Sequence, residues 1–121
     1  MAKVLIVDDS AAHVLALKQL VEQWGHVALT APDGDKAIAA ARQEQPDVIL
    51  MDVVMPGMNG FQTARKLTRA ESTKTIPIIF VSIRSEEADR VWGMRQGAIA
   101  YITKPVNPET LCDAISDAIA A

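Results

Sequence analysis

Three acidic residues stand where apolar runs end. Asp8 and Asp9 follow Val4-Leu5-Ile6-Val7, and Asp52 follows Val48-Ile49-Leu50-Met51. A short apolar run of this kind suits a parallel strand buried on both faces, which has no room for a charge until it ends. If the two strands are neighbours, three carboxylates share one small pocket and repel strongly once partly desolvated. A divalent cation is the simplest relief. Mg²⁺ favours a few carboxylate oxygens plus waters, with Mn²⁺ as the alternative. Such a site is suited to phosphoryl chemistry. The plain alternative is two loop-capping acids and one helix N-cap.

The elements that must position these acids alternate along the chain. Strand Val4–Val7 leads into a helix with Ser10 as N-cap and Val14, Leu17, Val21 and Trp24 at helical spacing, ended by Gly25. A weaker strand, Val27–Thr30, precedes the Asp33-Gly34 turn and a helix through Ala37, Ile38 and Ala41, which Pro46 stops. After strand Val48–Met51 come the Pro56-Gly57 turn and a helix capped by Asn59, running through Phe61, Ala64 and Leu67. Strand Ile78–Val81 precedes a helix capped by Ser85, with Glu86 and Glu87 in the first turn and Gly97 at its end. Strand Ala100–Ile102 leads to a last helix, opened by Asn107-Pro108, whose apolar stripe is Leu111, Ile115 and Ile119. Five strand–helix units in strict alternation predict an α/β fold, a doubly wound parallel sheet with helices on both faces.

In such sheets function sits at the carboxyl ends of the strands. Asp8, Asp9, Asp52, Ser82 and Lys104 all follow strands and so fall on one edge. Asp52 is the candidate nucleophile, able to form an aspartyl-phosphate. Asp8, Asp9, Asp52 and the backbone carbonyl of Val54 are the candidate metal ligands. Lys104 supplies a fixed positive charge and Ser82 a hydrogen bond to phosphoryl oxygens. Taken singly, Lys104 reads as a solvated surface lysine and Ser82 as a strand-end hydroxyl.

Composition narrows the class further. A chain of 121 residues, half of them hydrophobic, is one domain with a sizeable core, expected over 1–121. A net charge of −3 argues against a general nucleic-acid or membrane-surface binder. No apolar run approaches a membrane span, and no basic-then-apolar leader opens the chain. The single Cys112 excludes an internal disulfide and fits a reducing cytoplasm; within the apolar stripe of the last helix it reads as a packed thiol. His13 and His26 lack companion ligands at metal spacing and read as surface or packing residues.

Over its whole length the chain resembles the receiver domains of two-component response regulators, the CheY-like family. The matching residues are Asp8-Asp9, Asp52 within Met51-Asp52-Val53-Val54-Met55-Pro56-Gly57, Ser82, and Lys104-Pro105. The resemblance implies a flavodoxin-like (βα)5 sheet in strand order 2-1-3-4-5. It implies a cis peptide at Lys104-Pro105 and Mg²⁺-dependent phosphoryl transfer to Asp52 from a histidine kinase, here of the CheA type. It also implies a switch. Ser82 moves toward the phosphoryl group, Tyr101 swings inward, and the surface of the fourth helix, fifth strand and fifth helix changes for a downstream protein. Trp92 reads either as a contact on that surface or as packed inward with Val91 and Ala88. With no residues left for a DNA-binding output domain, the expectation is a stand-alone regulator, monomeric or weakly dimeric when phosphorylated. It would act by docking or as a phosphate sink. Trp92–Gly97 and Lys104-Pro105-Val106 are most similar to the stand-alone regulators of type IV pili and twitching motility.

The chain departs from the family pattern at Ile83, where a small residue is usual and a branched one narrows access to the site. Val54 and Arg84 flank the expected path of a hydrolytic water; Val54 cannot orient it and Arg84 could shield the phosphoryl group. Rival readings remain. A haloacid-dehalogenase-type phosphohydrolase needs a second Asp where Val54 stands. A flavodoxin-like cofactor carrier needs a phosphate loop where Asp8-Asp9 stand. A degenerate receiver would bind partners without phosphorylation.

Overall fold

The computed structural model describes residues 1–120. Its elements run β1 (Lys3–Val7), α1 (Ala11–Gln23), β2 (Val27–Ala31), α2 (Gly34–Glu44), β3 (Val48–Met51), α3 (Gly60–Arg69), β4 (Ile78–Ser82), α4 (Glu87–Arg95), β5 (Ala100–Thr103) and α5 (Pro108–Ala120). The five strands form one parallel sheet in the order β2-β1-β3-β4-β5, as expected.

Alternation along the strands sorts the core onto the two faces. Leu5, Val7, Ile49, Met51, Ile78 and Phe80 point to one side, against Ala37 and Ala41 of α2 and Phe61, Ala64 and Leu67 of α3. Val4, Ile6, Val48, Leu50, Ile79 and Val81 point to the other, against Leu17 and Val21 of α1 and Leu111 and Ile115 of α5. The central strands β1, β3 and β4 are buried almost throughout, so a charge enters only at their ends. Register then fixes which ends meet: Val7 lies beside Met51, so Asp8 and Asp52 leave the sheet side by side.

Three local expectations are corrected. The cap of α4 is Glu86 rather than Ser85, and no side chain bonds to that helix end. The buried stripe of α5 is Leu111, Ile115 and Ala118, whereas Ile119 is exposed. From Ile115, position 118 continues the turn over the sheet, while 119 has rotated past its margin. Cys112, next to Leu111, is only partly buried for the same reason. The Asn59 cap of α3 is present as a full capping box with Gln62. Lys104-Pro105 is cis. Among the described residues no helix is long and apolar enough to cross a membrane.

Candidate functional site

Backbone hydrogen bonds carry the sheet ladder one residue past three strands and so place the site. Asp8 N donates to Ala31 O at 3.2 Å, Asp52 N to Val7 O at 2.9 Å, and Lys104 N to Ser82 O at 2.8 Å. Side chains add a second restraint: Asp8 Oδ1 accepts from Ser10 N at 2.8 Å and Asp52 Oδ1 from Val53 N at 2.7 Å. Asp8 and Asp52 are buried and Asp9 is exposed, yet one carboxylate oxygen from each lies within 4.8 Å of the others.

Lys104 reaches over from β5. Its ammonium lies 2.9 Å from Asp8 Oδ2 and 3.6 Å from Asp52 Oδ2, with all three side chains at most 9% exposed. One cation against three carboxylates leaves the cleft formally negative. Burial pushes the Asp52 carboxyl above the ordinary aspartate range; Lys104 opposes this, Asp8 adds to it, and the amides of Val53 and Val54 oppose it again. An oxygen-only donor set, two of its three carboxylates buried and with surplus negative charge, suits a small hard divalent cation, Mg²⁺ or Mn²⁺. The cleft holds about 190 Å³, with Val54 and Ile83 on its wall. Both are exposed, Ile83 by 65%.

Ser82 is fully buried and its hydroxyl accepts from Arg84 N at 3.2 Å. Tyr101 is buried and packed inward. Its hydroxyl donates to Arg84 O at 2.7 Å, and its ring lies 5.9 Å from that of Phe80. The reason is Gly93 of α4, where an added Cβ would come within 3.0 Å of both rings. The Arg84 guanidinium pairs with Asp89 of α4 at 3.0 Å. Trp92 is 46% exposed beside exposed Val91, so the two are not packed inward together.

Two further residues belong to the site. Gly60 starts α3, donates to Val53 O at 2.8 Å, and lies so close to the strand end that a methyl there would run into the Asp52 carbonyl. His13 Nδ1 lies 2.9 Å from the Lys104 ammonium. The first has a sequence signal in the glycine directly after the Asn59 cap. The second has only a position in the first turn of the helix that starts at the acidic edge.

The comparisons with known proteins agree with this geometry. The model of the response regulator receiver domain matches residues 4–116. PilH of Pseudomonas aeruginosa is 51% identical over 120 residues, covering 99% of each chain. The response regulator PleD of Caulobacter vibrioides is longer; 39% identity over 106 residues spans 23% of it. Among solved structures, the chemotaxis protein CheY4 of Vibrio cholerae matches with a TM-score of 0.90 at 34% identity, over 98% of both chains. A family match over nearly the whole chain, on a sheet with the acids and the lysine at its carboxyl edge, shows that this chain belongs to the response regulator receiver domain family.

Proposed function

We propose that the chain accepts a phosphoryl group on Asp52 and signals as a stand-alone regulator. The observation that carries this is the trio Asp8, Asp9 and Asp52, with oxygens within 4.8 Å and the Lys104 ammonium 3.6 Å from Asp52. An Asp52 oxygen attacks the phosphorus of a phosphohistidine on a CheA-type kinase. The P–N bond breaks, the imidazole leaves, and an acyl phosphate remains on Asp52. Asp8, Asp9, Asp52 and the carbonyl of Val54 would hold Mg²⁺, or Mn²⁺ in its place. When bound, such an ion would supply positive charge to the phosphoryl oxygens. Lys104 turns from Asp52 to one of those oxygens. Ser82 accepts from Arg84 N, and its hydroxyl proton would turn to another of those oxygens.

The same bonds suggest how the signal leaves. Ser82 Oγ is tied to Arg84 N, and Arg84 O is tied to the Tyr101 hydroxyl. A move of Ser82 toward the phosphoryl group disturbs the α4–β5–α5 face, where Trp92 stands half exposed for a downstream protein. Likeness to PilH over 99% of both chains supports a single-domain regulator in the cytoplasm with a role in type IV pili, by docking or as a phosphate sink.

The test is intact mass after incubation with acetyl phosphate, with and without Mg²⁺, beside Asp52→Asn. One added phosphoryl group that requires both Mg²⁺ and Asp52 is expected. No addition even with Ile83→Ala, which opens the cleft wall, would leave a binding module that works without phosphorylation.

A further inference from the structure

His13 lies outside the receiver pattern, yet it shares the cleft wall with Lys104. It stands in the first turn of α1, where its own backbone N–H is the one that the Ser10 cap receives, at 3.4 Å. That turn places His13 beside the cleft. Its Nδ1 is 2.9 Å from Lys104 Nζ and 3.6 Å from Asp8 Oδ2. An ammonium has three donors and no acceptor. At 2.9 Å from Nδ1 the Lys104 ammonium can only be the donor, so this bond requires the ring tautomer with its proton on Nε2.

Lys104 thus has three anchors: Asp8, Asp52 and His13. Two of them are carboxylates of the acidic trio, which a bound cation would draw to itself. Only His13 is left to keep the ammonium aimed when they are taken. We infer that His13 is a positioning residue for Lys104, holding its ammonium over the cleft while the carboxylates turn to the metal and the phosphoryl group. This rests on the proposed phosphoryl transfer.

The experiment has two arms. In the metal-free protein, ¹⁵N chemical shifts of the His13 ring are expected to place the proton on Nε2, and the Nδ1 signal is expected to move when Lys104→Met removes the donor. In the second arm, His13→Leu and His13→Asn are phosphorylated with acetyl phosphate at saturating Mg²⁺. Asn offers Oδ1 where His offers Nδ1. Losing a charge-assisted bond at a half-exposed position slows the Leu variant roughly fivefold. Asn should recover most of the rate, with equal melting temperatures for the two variants. A proton on Nδ1, an Nδ1 signal indifferent to Lys104→Met, or equal rates in Leu and Asn variants would overturn the inference. If the unaltered chain takes no phosphoryl group, the proposed function fails, and the nitrogen shifts still decide the His13–Lys104 bond.

Discussion

At the carboxyl edge of β1 and β3 the backbone fixes the acids, whereas α4, across the sheet, is held by a few side chains. Asp8 and Asp52 are pinned by ladder bonds to Ala31 and Val7, and α3 starts in a capping box directly behind them. α4 has no side-chain cap and buries only Asp89 and Gly93. Its ties are the Arg84–Asp89 pair and two bonds from Arg90, to Tyr101 O at 3.3 Å and to Thr103 Oγ1 at 3.2 Å. Its outer face shows Val91, Trp92 and Met94, each close to half exposed. Regions that rearrange are drawn from the least stable parts of a fold. Like charges can be held together only by something stiff, and a face that changes must be cheap to move. The acidic edge meets the first demand, and the light tethering of α4 fits the second if that face switches as proposed.

The sharpest way to break the contrast is Gly60→Ala. The new methyl meets the Asp52 backbone carbonyl, which cannot yield without shifting the strand end. A loss of about 3 kcal/mol is expected from overpacking against backbone, read by urea unfolding. A loss under 1 kcal/mol would show this edge to be as yielding as α4.

Gly93→Ala probes the other region and should cost less. Its Cβ meets the Phe80 and Tyr101 rings at 3.0 Å, but those are side chains that can slide. Ala returns about 1 kcal/mol of helix propensity against about 2 kcal/mol of overpacking, a net loss of about 1 kcal/mol. The clearer readout is Tyr101, the only tyrosine in the chain. Burial raises its phenol above the usual range, with Ser82 opposing and Asp89 adding. Ultraviolet titration of the unaltered protein should find ionisation displaced to high pH, and Gly93→Ala should bring it back toward the ordinary value of about 10 as the ring moves out. An unchanged titration would mean that α4 lifts instead.

The stiff region was legible in the sequence, and the poised one was not. Asp8 and Asp52 could be read because each ends an apolar run, and Lys104 because it follows a strand in a strict alternation that fixes the sheet. The α4 end was missed by one residue because Ser85 has the cap chemistry, while Glu86 takes the position without forming a cap bond. The inward Tyr101 depends on Gly93, whose missing side chain matters only once α4 lies on Phe80. His13 meets a lysine 91 residues away, a contact created by the sheet and invisible to local spacing.

The smallest expected effect joins stability to charge. In the folded chain Asp52 is harder to ionise than in the unfolded one, chiefly from burial, with Lys104 opposing and Asp8 adding to the rise. The folded state therefore keeps its proton to higher pH, and stability falls as pH rises from the ordinary aspartate range through the raised folded value. Above that window the buried charge is fully present, and Asp52→Asn, whose Oδ1 can still accept from Val53 N, should stabilise the metal-free protein by about 1 kcal/mol. Below the window the gain should vanish, because wild-type Asp52 is protonated in both states. Saturating Mg²⁺ should reverse the order near neutral pH, since an ion bound only by the folded state stabilises the wild type more than a variant lacking one ligand. Thermal unfolding at several pH values, in chelator and in Mg²⁺, reads all of this. If Asp52→Asn proves less stable in chelator, the Lys104–Asp52 attraction outweighs burial, and the edge is held together by charge as well as by backbone.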